Sequence, residues 1–225
     1  MNYKTKTIMV CIGLILNGIA VSFYLLSGFG ADSISVFNAG LANTFGITVG
    51  LGSLAFYFIV IVVTAFVDRH YISVATILSL IIVGPSIDIF MKLFSHAVTP
   101  ESPMIIRLLF FTMAFLCLAF AVALYLSANF GISAADMIPV IVADKAHLQF
   151  RYCKIAFDIT VVVIGFFLGG AFGWGTIFMA ICNGPTIQFF RNQIESRLVA
   201  PLIQKENSQD LQDAQDVEET EKACK

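Results

Sequence analysis

The chain has 225 residues, 58% hydrophobic and only 12% charged, with a mean hydropathy of +0.88 and a net charge of −2. About a quarter of the residues of a water-soluble domain are charged, so the composition excludes an ordinary soluble enzyme or nucleic-acid-binding module. It predicts an all-α, polytopic membrane protein whose first partner is the lipid bilayer.

The charges are segregated along the chain. Residues 1–203 carry ten Lys/Arg and eight Asp/Glu, a balance of +2, and residues 204–225 carry three Lys and seven Asp/Glu, a balance of −4. Long stretches, such as Ser33 to Val67, contain no charge at all. At about 1.5 Å per residue, 35 residues are too long for one crossing, so that stretch must fold back.

In chain order, Lys4 and Lys6 precede a first span from Ile8 to Leu26. The run is long for a signal peptide and no small-residue cleavage site follows, so it reads as a retained span. Gly28-Phe29-Gly30 breaks it, and a short helix follows over Ser33–Phe45. Gly46, Gly50 and Gly52 mark the next break before a span reaching Val67. The polar turn Asp68-Arg69-His70 leads to a span over Ile72–Met91, kinked near Pro85 because proline removes a helix hydrogen bond.

A polar linker over 93–106 separates this half, 1–92, from a second one, 107–203. Here the spacing predicts a span over Leu108–Leu126, a break at Asn129-Phe130-Gly131 and a short helix over Ala134–His147. A span over Lys154–Ala171, the turn Gly173-Trp174-Gly175 and a last span over Thr176–Phe190 complete it. The tail 204–225 is acidic and poor in aromatics, which predicts disorder.

The halves share sequence. Gly84-Pro85-Ser86-Ile87-Asp88-Ile89-Phe90 returns 100 residues later as Gly184-Pro185-Thr186-Ile187-Gln188-Phe189-Phe190, and Thr76-Ile77 as Thr176-Ile177. Ser27-Gly28-Phe29-Gly30 returns at an offset of 101 as Ala128-Asn129-Phe130-Gly131. The expectation is two sequence-related four-helix halves, with six long and two short helices, a plan common in transporters. If the short helices cross, there are eight spans and the halves are parallel; if they are re-entrant, there are six and the halves are inverted. With the N-terminus inside, eight crossings leave nine Lys/Arg inside and one outside, and six leave eight and two, a slight preference for eight. Both put the two termini in the cytoplasm.

The break after the first span, the short helix beyond it, the Gly84-Pro85-Ser86-Ile87-Asp88 segment and the run Phe167-Leu168-Gly169-Gly170-Ala171-Phe172-Gly173-Trp174-Gly175-Thr176 carry a family resemblance. Over about residues 8–192 the chain resembles the YczE/YyaS/YitT group of bacterial integral membrane proteins, in its shorter form without a soluble C-terminal domain. The resemblance implies a bacterial cell membrane and little about activity. Members often carry a proline after the first-span glycines; this chain reads Ala31-Asp32-Ser33 and Ile132-Ser133-Ala134 there.

Candidate binding residues are the polar groups at membrane depth, where an ionisable side chain is expensive and commonly functional. Asp88 and Asp158 come first. Each also has a lysine four residues away, Lys92 and Lys154, so each is equally readable as a local ion pair. Asp32 reads as the N-cap of the first short helix, and Ser133 with Asp136 as a variant capping box of the second. The sharper alternative is that these helix ends face a solute. Asn17 and Asn183 suit interhelical hydrogen bonds or solute contact. Gly84-Pro85 and Gly184-Pro185 read as hinges, and Gly165, Gly169 and Gly173 as one smooth packing face.

Cys11, Cys117, Cys153, Cys182 and Cys224 form no CxxC pair, and His70, His96 and His147 have no ligand spacing. With no nucleophile–base pair, P-loop or dinucleotide motif, neither an enzyme, a cofactor nor a metal is expected. Two functions are consistent with these features: a secondary transporter or exporter of a small solute, or a non-transporting membrane partner that helps assemble another protein. The sequence specifies neither a homo-oligomer nor a substrate.

Overall fold

The computed structural model describes residues 2–99 and 101–201; the acidic tail 204–225, Pro100 and Cys224 lie outside the described residues. Eight α-helices follow one another: α1 (Tyr3–Ser27), α2 (Ser33–Phe45), α3 (Val49–Val67), α4 (Val74–Phe94), α5 (Met104–Ser127), α6 (Ala134–Ala146), α7 (Phe150–Phe167) and α8 (Trp174–Ile194). Of these, α1, α3, α4 and α5 are long and apolar enough to cross a membrane.

Local chemistry sets the breaks. Gly28 (φ 70°) and Gly30 (φ 110°) end α1 in a left-handed conformation that disfavours any residue with a Cβ. Thr48 caps α3 through the Leu51 N–H, and Ser73 with Thr76 forms a reciprocal capping box on α4. Pro85, Pro139 and Pro185 lie inside α4, α6 and α8 without ending them.

Three expectations need correction. The glycine face does not exist as a unit, because α7 ends at Phe167: Gly165 is helical, Gly169 sits in the following turn at φ 79°, and Gly173 precedes α8 against Phe29. Ser133 makes no capping hydrogen bond, because Asp136 turns to partners on other helices. Gly184, expected to be a hinge or packing position, has open space around it.

The helix directions do not match eight strictly alternating helices. Along α1 and α5, Tyr3 meets Phe130, Gly13 meets Tyr125, and Ser27 accepts a hydrogen bond from Arg107, so these helices are antiparallel. Along α1 and α4, Gly18 meets Ser86, Ser22 donates to Ile87, and Phe23 packs on Phe94, so these run parallel. The helices α5 and α8 also run parallel, from Phe111–Phe178 to Phe120–Phe190. Alternating crossings at every helix would make α1 and α4 antiparallel. The parallel course of α1 and α4 is that expected when α2 adds no crossing between α1 and α3.

Each short helix leans on the other half of the chain. Helix α2 runs beside α7 from Ser33–Asp158 to Thr44–Leu168, and α6 reaches the end of α3, where Lys145 bonds the Val67 carbonyl. The α2–α7 approach depends on Gly165, where a Cβ would come within 2.7 Å of the Phe37 backbone. Gly165→Leu is therefore expected to destabilise the fold by roughly 1–3 kcal/mol through overpacking, read as an earlier thermal melt in detergent. Gly184→Leu, in open space, should melt like the wild type.

Candidate functional site

The loop before α2 and the loop before α6 both deliver a helix N-terminus to the centre of the bundle. There a cavity of about 140 Å³ is lined by residues of all eight helices or their caps. Asn17 comes from α1, Asp32 and Asn38 from the α2 segment, Ser53 and Tyr57 from α3, Tyr125 from α5, Asp136 from α6, Lys154 and Asp158 from α7, and Asn183 from α8. Val21, Val83, Ile87, Leu118, Val122 and Ile187 supply apolar wall.

The charges in it are coupled. Lys154 Nζ lies 3.0 Å from Asp136 Oδ1 and 3.1 Å from Asp158 Oδ1. Ser33 Oγ donates to Asp158 Oδ1 at 2.8 Å, and Tyr125 Oη donates to Asp136 Oδ2 at 3.2 Å. Asp32 caps α2 by accepting from the Ser35 N–H at 3.4 Å, which leaves its Oδ1 buried and without a partner. Asn38 donates from Nδ2 to Ser53 Oγ at 2.7 Å, and its Oδ1 is likewise unpartnered, as is Asn183 Oδ1.

Of the residues singled out from sequence, Asn17, Asp32, Asp136, Asp158 and Asn183 converge here. The local pair Lys154–Asp158 forms, but it faces the cavity and is shared with Asp136 instead of pointing to headgroups. Lys154, Asn38, Ser53, Tyr57 and Tyr125 were not foreseen as site residues.

Asp88 does not belong to this cavity. It lies beside Gly50, Gly84 and Pro85 in a separate cleft between α3 and α4. The expected pair with Lys92 is not made: Asp88 accepts from Thr48 Oγ1 at 2.6 Å and from the Gly50 N–H at 2.9 Å. A Cβ on Gly50 would collide with the Gly84 carbonyl, so α3 and α4 are shut tightly there. No such closure joins α7 and α8, which hardly touch. Gly184 has nothing near it, and Gln188 bonds Asn192 of its own helix.

These features define a polytopic helical membrane protein with a polar cavity inside its bundle. The chain belongs to the family described as a family of unknown function, DUF6198, which matches residues 4–192. It is 28% identical over 192 residues to an uncharacterized protein of Haemophilus influenzae, covering 85% of each chain. It is 24% identical over 178 residues to the uncharacterized membrane protein YczE of Bacillus subtilis, covering 79% of this chain and 81% of that one. With YyaS of the same organism it shares 20% over 189 residues, covering 84% and 94%. No solved structure matches significantly.

Proposed function

We propose that the protein is a secondary transporter or exporter of a small solute in the bacterial cell membrane, with two inverted halves, both termini in the cytoplasm and the solute held in the central cavity. The observation that carries this reading is the cavity's lining, which draws on the same positions of both halves. Val21 and Val122, Tyr57 and Asp158, and Ser53 and Lys154 are 101 residues apart; Val83 and Asn183, and Ile87 and Ile187, are 100 apart. A site on the pseudo-twofold axis between inverted halves, at the ends of broken helices, is the arrangement from which alternating access works.

The asymmetry of the halves supplies the motion. Helices α3 and α4 are closed by Gly50, Gly84 and Asp88 near the face where α1 ends. Helices α7 and α8 stand apart near the face where α1 begins. We assign this state as open to the N-terminal, cytoplasmic face, and the opposite state as the one in which α7 and α8 close while α3 and α4 part. Six crossings with the N-terminus inside keep eight Lys/Arg in the cytoplasm and two outside.

The test is counterflow. Proteoliposomes holding the full chain are loaded with a bacterial metabolite extract, and the solutes that exchange are identified by mass spectrometry. Saturable exchange of a defined small solute, lost in Asp158→Asn, is expected. Empty and protein-containing vesicles behaving alike would sink the transport reading and favour a membrane assembly partner.

A further inference from the structure

Three buried acceptor oxygens on residues that line the cavity have no donor: Asp32 Oδ1, Asn38 Oδ1 and Asn183 Oδ1. Leaving a buried acceptor unsatisfied is costly, and Asn38 is only 2% exposed. Asn38 has already committed its amide to Ser53, which turns the oxygen to the acceptor role. What completes this set is a ligand that donates hydrogen bonds.

Charge gives the sign. Asp32, Asp136 and Asp158 meet a single lysine in the lining, and that lysine is already held by Asp136 and Asp158. The bare N-terminus of a helix would attract an anion, but here Asp32 caps α2 and Asp136 occupies the first turn of α6. An anionic ligand would face three carboxylates to reach one engaged ammonium.

Shape gives the class. Among the described residues, no three His, Cys, Asp or Glu side chains gather closely enough to hold a metal ion. The remaining wall is aliphatic, from Val21, Val83, Ile87 and their neighbours. The volume of about 140 Å³ corresponds to roughly four or five waters at about 30 Å³ each, the size of an alkylamine with a few carbons. We propose that the cavity binds a small organic ammonium ion, with Asp32 as its counter-ion and the amide oxygens of Asn38 and Asn183 as further acceptors. The proposal rests on the central cavity being the solute site.

The experiment uses the full chain in nanodiscs and three probes of matched shape: n-butylammonium, butyrate and butyramide. Calorimetric titration and thermal shift are expected to detect n-butylammonium alone. Asp32→Asn is the decisive variant, because asparagine caps a helix as well as aspartate does and removes only the charge. It should melt like the wild type without ligand and bind n-butylammonium at least tenfold more weakly, roughly 1.4 kcal/mol. Asn183→Val, which removes an acceptor from a position outside the caps, should weaken binding several-fold and keeps the test open if Asp32→Asn folds poorly.

Equal binding of butyrate or butyramide, no response to n-butylammonium, or unchanged binding in both variants would overturn the assignment. Proteoliposomes separate it from the transport reading. If n-butylammonium binds through Asp32 but is never moved, the ligand class stands and transport falls. If another solute is moved and no ammonium competes with it, transport stands and the ligand class falls.

Discussion

Replacing Lys154 by methionine is expected to lower the melting temperature of the detergent-purified protein by roughly 4–12 °C. Lys154 lies between Asp136 and Asp158 at 3.0 and 3.1 Å, and the three side chains are 27%, 24% and 32% exposed. Methionine keeps the length of the stem and removes the charge, leaving two carboxylates facing one another across the cavity. Breaking a fully buried pair costs roughly 3–5 kcal/mol, whereas an exposed pair is worth at most about 1 kcal/mol. This partly shielded triad falls between, at about 2–3 kcal/mol. A chain of this size loses about 2–4 °C per kcal/mol. Lys154→Met combined with Asp158→Asn should recover about half of the loss, because one of the two stranded charges is then gone. Equal melting of wild type and Lys154→Met would mean that the triad is not formed in the protein.

Asp88→Ala is expected to change which face of the molecule can reach the cavity. Asp88 joins α4 to the start of α3 through Thr48 and the Gly50 amide. Charge-assisted hydrogen bonds of this kind are each worth about 1.5–3 kcal/mol when buried. Asp88 is only half-buried, so a loss near 1.4 kcal/mol, about tenfold in the balance of the two states, is the reasonable expectation. The readout is a cysteine at Ile187, which lines the cavity, in a chain freed of its native cysteines and reconstituted in vesicles. An impermeant maleimide should label Ile187→Cys from the N-terminal face in the parent. With Asp88→Ala added, labelling from the opposite face should rise about tenfold. Labelling unaffected by Asp88→Ala would remove Asp88 from any gate.

Much of this was legible in the sequence for specific reasons. Helix ends were marked by residues that act locally: Gly28, Gly30 and Gly46 stop helices by their backbone freedom, and Asp32 starts one by capping. Five of the six polar candidates converge on the cavity: Asp158, selected by the rule that a charge at membrane depth needs a purpose, Asp32 and Asp136, read at helix starts, and Asn17 and Asn183, read as interhelical hydrogen-bonding groups. Asp88 obeyed the rule and went elsewhere, since Thr48 and Gly50, about 40 residues away, are invisible to a local argument. The local view also claimed Lys154 as the partner of Asp158 four residues on. Its second partner, Asp136, lies on another helix, and no spacing announces it. Asn38, Ser53 and Tyr57 were overlooked because each is unremarkable within its own helix. If the proposed repeat holds, its 101-residue offset pairs Ser53 and Tyr57 with Lys154 and Asp158. Helix direction was out of reach because lysine and arginine counts barely separate six crossings from eight, whereas the contacts of α1 with α4 and α5 give the directions of these helices directly.

The hydrogen bond from Ser33 to Asp158 spans 125 residues of chain. At about 5–20 residues per second of synthesis, the ribosome needs roughly 6–25 s after making the start of α2 before its partner on α7 exists. During that interval Asp32 and Ser33 belong to a short helix whose polar N-terminal end lacks its neighbour on α7. A nascent chain therefore has to keep that helix at the water interface, or sheltered by the insertion machinery, until α7 arrives.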